Sequence, residues 1–161
     1  MAKELRVSTT SVVVSAAAVA AVALMGGYFT GMNRGWYDQL IKPAWQPPDW
    51  AFPIAWTTIF ILVIVSIVLV WNTRPRTGLA YWTIGFFILN GILNVTWSAL
   101  FFGNRLILPA VYDAGLLFLS VLTIMILAWP ISRAASLLLI PYACWVAFAA
   151  VLTWTIYRLN G

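Results

Sequence analysis

The sequence predicts an all-α integral membrane protein: one domain, residues 1–161, folded as a bundle of five transmembrane helices with a long structured first loop. Three observations point there. Of 161 residues, 63% are hydrophobic and 8% charged, where an ordinary soluble domain carries about a quarter charged. Five apolar runs approach the roughly 20 residues a bilayer crossing needs. The nine Lys and Arg, with net charge +5, are spread singly at the flanks of those runs, so they form membrane-span borders and no basic patch for nucleic acid. No histidine is present and Cys144 is the one cysteine, which excludes an internal disulfide and the usual zinc ligand sets. No metal site is expected, and Cys144 reads as a small buried residue.

The first run, about 8–30, follows Lys3 and Arg6. Ala16, Ala20, Ala23, Gly27 and Gly31 recur along it at helical spacing, as a tightly packed helix face would. Its basic start and its Ala21-Val22-Ala23 also fit a signal peptide with a cleavage site. A polar stretch, 31–52, comes next; its aromatic and proline content fits a lid rather than a mobile loop, the alternative being a segment lying in the headgroup layer with its tryptophans in lipid. Pro43, Pro47 and Pro48 fix φ and push the preceding residues toward extended backbone. Trp36, Tyr37, Trp45 and Trp50 supply apolar area that a solvated loop has no use for. The remaining runs are 53–72, 80–102, 107–129 and 133–157, separated by "NTRPRTG", "GNR" and "PISRA". These short breaks make consecutive helices antiparallel neighbours.

Alternation sorts the chain into two membrane sides, A at the N-terminus and B opposite. Side A receives Lys3, Arg6, Arg74, Arg76 and Arg133, side B Arg34, Lys42, Arg105 and Arg158, a balance that sets no orientation. Trp71, Trp82 and Trp129 fall at side A as an ordinary interfacial belt. Trp36, Trp45, Trp50, Trp56, Trp97 and Trp154 gather toward side B, with Trp145 near mid-depth, more than a belt requires. The excess predicts a tryptophan-lined cavity opening toward B.

Helical spacing indicates what lines it. Asn90, Asn94, Trp97 and Phe101 form one stripe of the third span, and amides in hydrocarbon should face the bundle, as ligand contacts or as interhelical hydrogen bonds. Asp113 is the one acid clearly within a span, a ligand contact or a helix brace. On the fifth span Tyr142, Trp145, Ala149, Leu152 and Ile156 share a stripe with Phe148 at its margin, and Ala149 leaves a recess beside the Trp145 ring. Trp56 and Phe60 face them from the second span, while Arg34 and Lys42 stay at the rim for an anionic group.

Three segments, "WYDQLIKPAWQPPDWAFPIAW" (36–56), "NGILNVTWSALFFG" (90–103) and "PYACWVAFA" (141–149), resemble the signature segments of the TspO family, called tryptophan-rich sensory proteins in bacteria and translocator protein or peripheral-type benzodiazepine receptor in mitochondria. The resemblance covers essentially the whole chain. It implies a five-helix bundle, often a homodimer, with a ligand cavity under the first loop. It also implies binding of porphyrins and related tetrapyrroles, isoquinoline and benzodiazepine ligands and, in several members, sterols. By position, Trp56 matches the tryptophan that starts the second helix, and Trp145 and Ala149 match the cavity pair of the fifth. Asn90, Asn94 and Trp97 match the third-helix stripe; Trp36, Lys42, Pro43, Trp45, Pro47 and Pro48 match the loop. Leu152-Thr153 stands where many members have Leu-Asn, and adjacent Tyr157 and Arg158 lack the spacer of the proposed sterol motif, so sterol binding is not expected.

The leading expectation is a membrane receptor or sensor for a tetrapyrrole, linked to tetrapyrrole or stress regulation, with no obligatory cofactor and porphyrin or haem as ligand. The ring system would stack between tryptophans. Without histidine, iron ligation falls to Met, Tyr or Cys, so binding should depend little on the metal. A second reading is an enzyme that degrades porphyrin with light and oxygen, its candidate catalytic groups the redox-active indoles of Trp56 and Trp145; no nucleophile–base pair or phosphate loop accompanies them. A third is a tetrapyrrole or lipid carrier, against which stands the lack of internal repeats. Expected partners are the ligand, membrane lipid and a second copy of the chain.

Overall fold

The computed structural model describes residues 4–5 and 7–161. Lys3 and Arg6, counted above on side A, lie outside the described residues. Five helices are long and apolar enough to cross a membrane, and the chain is a multi-pass integral membrane protein. The first, α1 (Thr9–Met32), starts at Ser8, whose hydroxyl accepts the Ser11 amide at 3.2 Å, the usual way to satisfy an orphan donor at a helix start. A short α2 (Arg34–Gln39) follows, then α3 (Ala51–Asn72), α4 (Gly78–Ser98), α5 (Ile107–Ala128), a single turn α6 (Arg133–Leu137) and α7 (Ile140–Asn160). Glu4–Leu5 (β1) pairs antiparallel with Thr73–Arg74 (β2), the one strand pairing among the described residues.

Two expected boundaries shift. The last span, 133–157, is divided: α6 stops at Leu137 and α7 begins at Ile140. Pro141 has no N–H for the Leu137 carbonyl, and its ring would press on that carbonyl, so a continuous helix cannot pass there. The 31–52 segment is less of a loop than expected, since α1 runs on to Met32 and α2 occupies Arg34–Gln39.

α5 is the central helix. Ala110, Ala114, Leu117, Val121, Ile124 and Ala128 are all buried, a stripe at steps of three and four that packs on α4 and α7. α1 is peripheral and buries only Ser11, Ser15, Val19 and Gly26. Its small-residue stripe is therefore not the packed face expected above. Ala20, Gly27 and Gly31 are exposed, and a Cβ added at Gly27 or Gly31 would meet nothing. Cys144 is also exposed, because it stands on the outer side of α7. At side A the tryptophan belt holds: Trp82 and Trp129 are exposed, and Arg76 lies over the Trp71 ring at 3.9 Å.

α1 is held at its two ends. At side A, Asn72 of α3 donates to Ser11 Oγ at 2.7 Å and to Val68 O at 2.8 Å, and accepts the Ser8 amide at 3.2 Å. At side B, Asn33 donates to Phe102 O at 2.7 Å and Gly103 O at 3.1 Å. Those carbonyls belong to a wide π-type turn, Ala99–Gly103, that ends α4. Gly103 fits closely there, since an added Cβ would stand 3.0 Å from the Phe29 ring of α1. The lid is pinned from α7: Asn160 accepts the Ile41 amide at 2.8 Å and donates to Ile41 O at 2.9 Å.

Asn72→Ala removes three hydrogen bonds and leaves buried partners unpaired, and should cost about 1–3 kcal/mol, read as a lower unfolding midpoint in detergent. Asn160→Ala should leave the bundle intact and speed hydrogen exchange at the Ile41 amide roughly fivefold, measured by exchange mass spectrometry.

Candidate functional site

In the B half of the bundle the helices part around a cavity of about 410 Å³, within the range of small-molecule sites. Trp56 and Phe60 of α3 form one wall, their rings 5.4 Å apart. Trp145 and Ala149 of α7 form a second wall, with Leu152 and Ile156 above them toward side B. Asn94 and Trp97 of α4, with Phe101 of the turn that ends it, close the third side, the last two rings stacked at 5.2 Å and 12°. The π-type turn places Phe101 and its sequence neighbour Phe102 on this cavity together. A regular helix would set successive residues about 100° apart, and the wider turn reduces that divergence. Phe52 packs edge-on against Trp145 at 5.7 Å and also faces the cavity, as do Ala114 and Leu117 of α5.

The mouth lies under α2. Tyr37 faces the cavity and packs on Phe101 and Phe102 at 6.1 and 5.3 Å. Burial, and then the negative charge of Asp49, push its phenol above the ordinary pKa, so it stays neutral. Arg34 and Asp49 both border the opening and face each other at 3.4 Å across it. Both side chains are more than half exposed, so the pair is a weak latch.

Six of the fifteen residues expected at the site line this cavity: Trp56, Phe60, Asn94, Trp97, Trp145 and Ala149. The others are placed elsewhere, for identifiable reasons. Trp36 packs edge-on against Phe101, 5.8 Å away, and does not line the cavity. Trp45 is 48% exposed and rests on Phe148 at 5.9 Å, and Phe148 in turn rests on Trp145 at 5.5 Å. These two rings back the wall without reaching the cavity. Lys42 is committed outside, 3.9 Å over the Tyr37 ring and 3.9 Å from Asp38. Pro43 and Pro47 shape the lid backbone, where the Pro43 carbonyl accepts the Gln46 amide at 3.0 Å. Asn90 and Tyr142 are deeper, joined by Tyr142 Oη donating to Asn90 Oδ1 at 2.9 Å, while Asn90 donates to Ser120 Oγ at 2.8 Å. Both border a second, apolar crevice between α1, α3 and α4. Asp113 is buried beside Ala114 and does not line the cavity. Trp50 and Trp154 are exposed, so they belong to the membrane interface; Arg158 lies over Trp154 at 5.8 Å.

The α1 wall is the part that sequence reasoning missed. Val22, Gly26, Gly27, Thr30 and Gly31 border the cavity. From the sequence Gly27 and Gly31 are expected as packing contacts, whereas a Cβ at either would meet nothing and their missing side chains leave room. A signal existed in their position: they fall in the B half of α1, level with the predicted hollow. Among the described residues, no cluster of metal-ligating side chains occurs.

Comparison with known proteins bears on this arrangement. Residues 14–158 match the model of the TspO/MBR family. The tryptophan-rich protein TspO of Chlorobaculum tepidum is 39% identical over 141 residues, 87% of this chain and 89% of that protein. Protein CrtK of Rhodobacter capsulatus is 35% identical, covering 78% of each chain, and the human translocator protein is 31% identical, covering 81% of this chain and 78% of its own. With five membrane-spanning helices and a match over nearly its full length, this chain belongs to the TspO/MBR family.

Proposed function

We propose that the protein is a membrane receptor or sensor that binds a flat, largely hydrophobic ligand, with a tetrapyrrole the best-fitting class. One observation carries the reading: a cavity of about 410 Å³ faced by three tryptophans, Trp56, Trp97 and Trp145, beneath a tethered lid. Aromatic rings on several walls suit a planar ring system. Arg34 at the mouth offers a cation to a ligand carboxylate, which would compete with Asp49 for it. The sensory role accords with the names of relatives, among them the tryptophan-rich sensory protein of Cereibacter sphaeroides, 31% identical over 125 residues.

Binding should not depend on a metal in the ring. The chain has no histidine, and the one tyrosine facing the cavity, Tyr37, is held in its neutral phenol form by burial and Asp49. Neutral phenol is a poor iron ligand.

Tryptophan-fluorescence titration tests both points. Free-base protoporphyrin should bind at least as well as haem; a haem preference with a ligated-iron spectrum contradicts the reading. Ala149→Phe, which fills the recess beside Trp145, should weaken binding more than about tenfold, or ~1.4 kcal/mol, while circular dichroism stays unchanged. Equal affinity in this variant would place the ligand outside the cavity.

A further inference from the structure

The second crevice, about 500 Å³ between α1, α3 and α4, has a buried end and an open one. Its inner end is the buried pair Asn90 and Tyr142. Its rim is exposed, at Val14 and Ala18 of α1 and at Ile88 and Ile92 of α4. Each pair is four residues apart, so one stripe of each helix runs along the seam between them. From α3 come only buried or half-buried residues, Phe60, Val63 and Ile67. The crevice therefore opens outward through the α1–α4 seam, and outward from these apolar spans is the bilayer.

At mid-depth the crevice meets the cavity. Val22, Phe60 and Asn94 border both spaces, so these three side chains are the partition. They are held differently. Asn94 is tied to the Tyr142 hydroxyl at 3.4 Å. Phe60 rests on the Trp56 ring at 5.4 Å, and Val22 lies where a Cβ on Gly91 would come within 3.0 Å of it; both are held by packing. Between its clamps at Ser11 and Asn33, α1 makes no side-chain hydrogen bond to another helix among the described residues; Thr30 bonds to its own helix, at Gly26 O. A seam closed only by apolar contact opens by side-chain rotation and a small shift of α1, with no buried polar group left unpaired. A hydrophobic solute is concentrated in the bilayer, and a path from there spares it the passage through water that entry under the lid requires. We propose that the α1–α4 seam is a lateral port through which flat hydrophobic ligands pass between the bilayer and the cavity, with Val22 and Phe60 as the moving partition and Asn94 as its fixed post. The port rests on the cavity reading above but not on the ligand being a tetrapyrrole.

The test narrows the rim without touching the cavity lining. Ala18→Trp and, independently, Ile88→Trp each add an indole at an exposed rim position, one from either side of the seam. The deciding arm uses no tetrapyrrole. Cys144→Ser removes the exposed native thiol, and Ala149→Cys places one in the cavity wall. In lipid nanodiscs, N-dodecylmaleimide, which resides in the bilayer, should alkylate that thiol about tenfold more slowly when either rim tryptophan is present. A charged methanethiosulfonate, which comes from water past the lid, should be unaffected by them. The second arm delivers protoporphyrin from vesicles to the protein without the cavity thiol and follows the porphyrin's absorbance. Association and dissociation should both slow about tenfold in each rim variant, with Kd within about twofold. Dodecylmaleimide labelling at one rate with and without the rim tryptophans overturns the port. So does equal slowing of the water-borne reagent, which would mean that the cavity itself is distorted. Slowed dodecylmaleimide labelling in a protein that binds no protoporphyrin sustains the port and removes the tetrapyrrole assignment instead.

Discussion

A polar knot in the middle of the bundle is what the rest of the structure depends on. Helices in a bilayer gain no hydrophobic advantage from meeting each other, so close packing and interhelical hydrogen bonds must hold them. Here Asn90 of α4 binds Ser120 of α5 and receives the Tyr142 hydroxyl of α7. Asn94 adds a longer contact, 3.4 Å, to the same hydroxyl. Three helices are thereby locked in one register at one depth. Above the knot, toward side B, their side chains can part without the helices sliding, and the cavity occupies that space. Asn94, which belongs to both the knot and the cavity lining, is the join between them.

Against this rigid trio, α1 is a wall more than a pillar. Asn72 clamps its start and Asn33 its end, and between them it contributes glycine and valine to the cavity. Gly91 of α4 comes so close to α1 that an added Cβ would lie 3.0 Å from Val22. One contact of this kind sits mid-helix while the flanking surfaces remain open, and the apolar crevice beside it follows from the same loose fit. Along α1 the hydrogen-bonded clamps thus sit at the two membrane faces, with the cavity and the crevice beside the stretch between them.

Much of this was legible in the residues. Composition and run length gave five spans because the bilayer tolerates few other solutions. The stripe Asn94, Trp97, Phe101 and the pair Trp145, Ala149 were readable because helical period fixes which side chains share a face. Tertiary detail was not readable. Nothing in the local pattern says that Lys42 spends its charge on Tyr37 and Asp38, or that Trp45 stops at Phe148. Asn90 shows the limit most clearly: its position on the stripe was right, and both of its hydrogen-bonding functions are taken up by neighbouring helices. Crowding of tryptophan on one side overstated the cavity, since interfacial anchoring and ligand contact draw the same residue to the same depth.

The hold of Asn160 on Ile41 joins positions 119 residues apart in the chain. During synthesis the segment that roofs the cavity emerges early, yet its anchor exists only after α7 has been made and inserted. A nascent chain with four helices in the membrane has the roof and its ring contacts with Phe101 and Phe102, but not the Asn160 tether. The roof over the cavity can therefore be tied down only after α7, the last of the five spans, is in place.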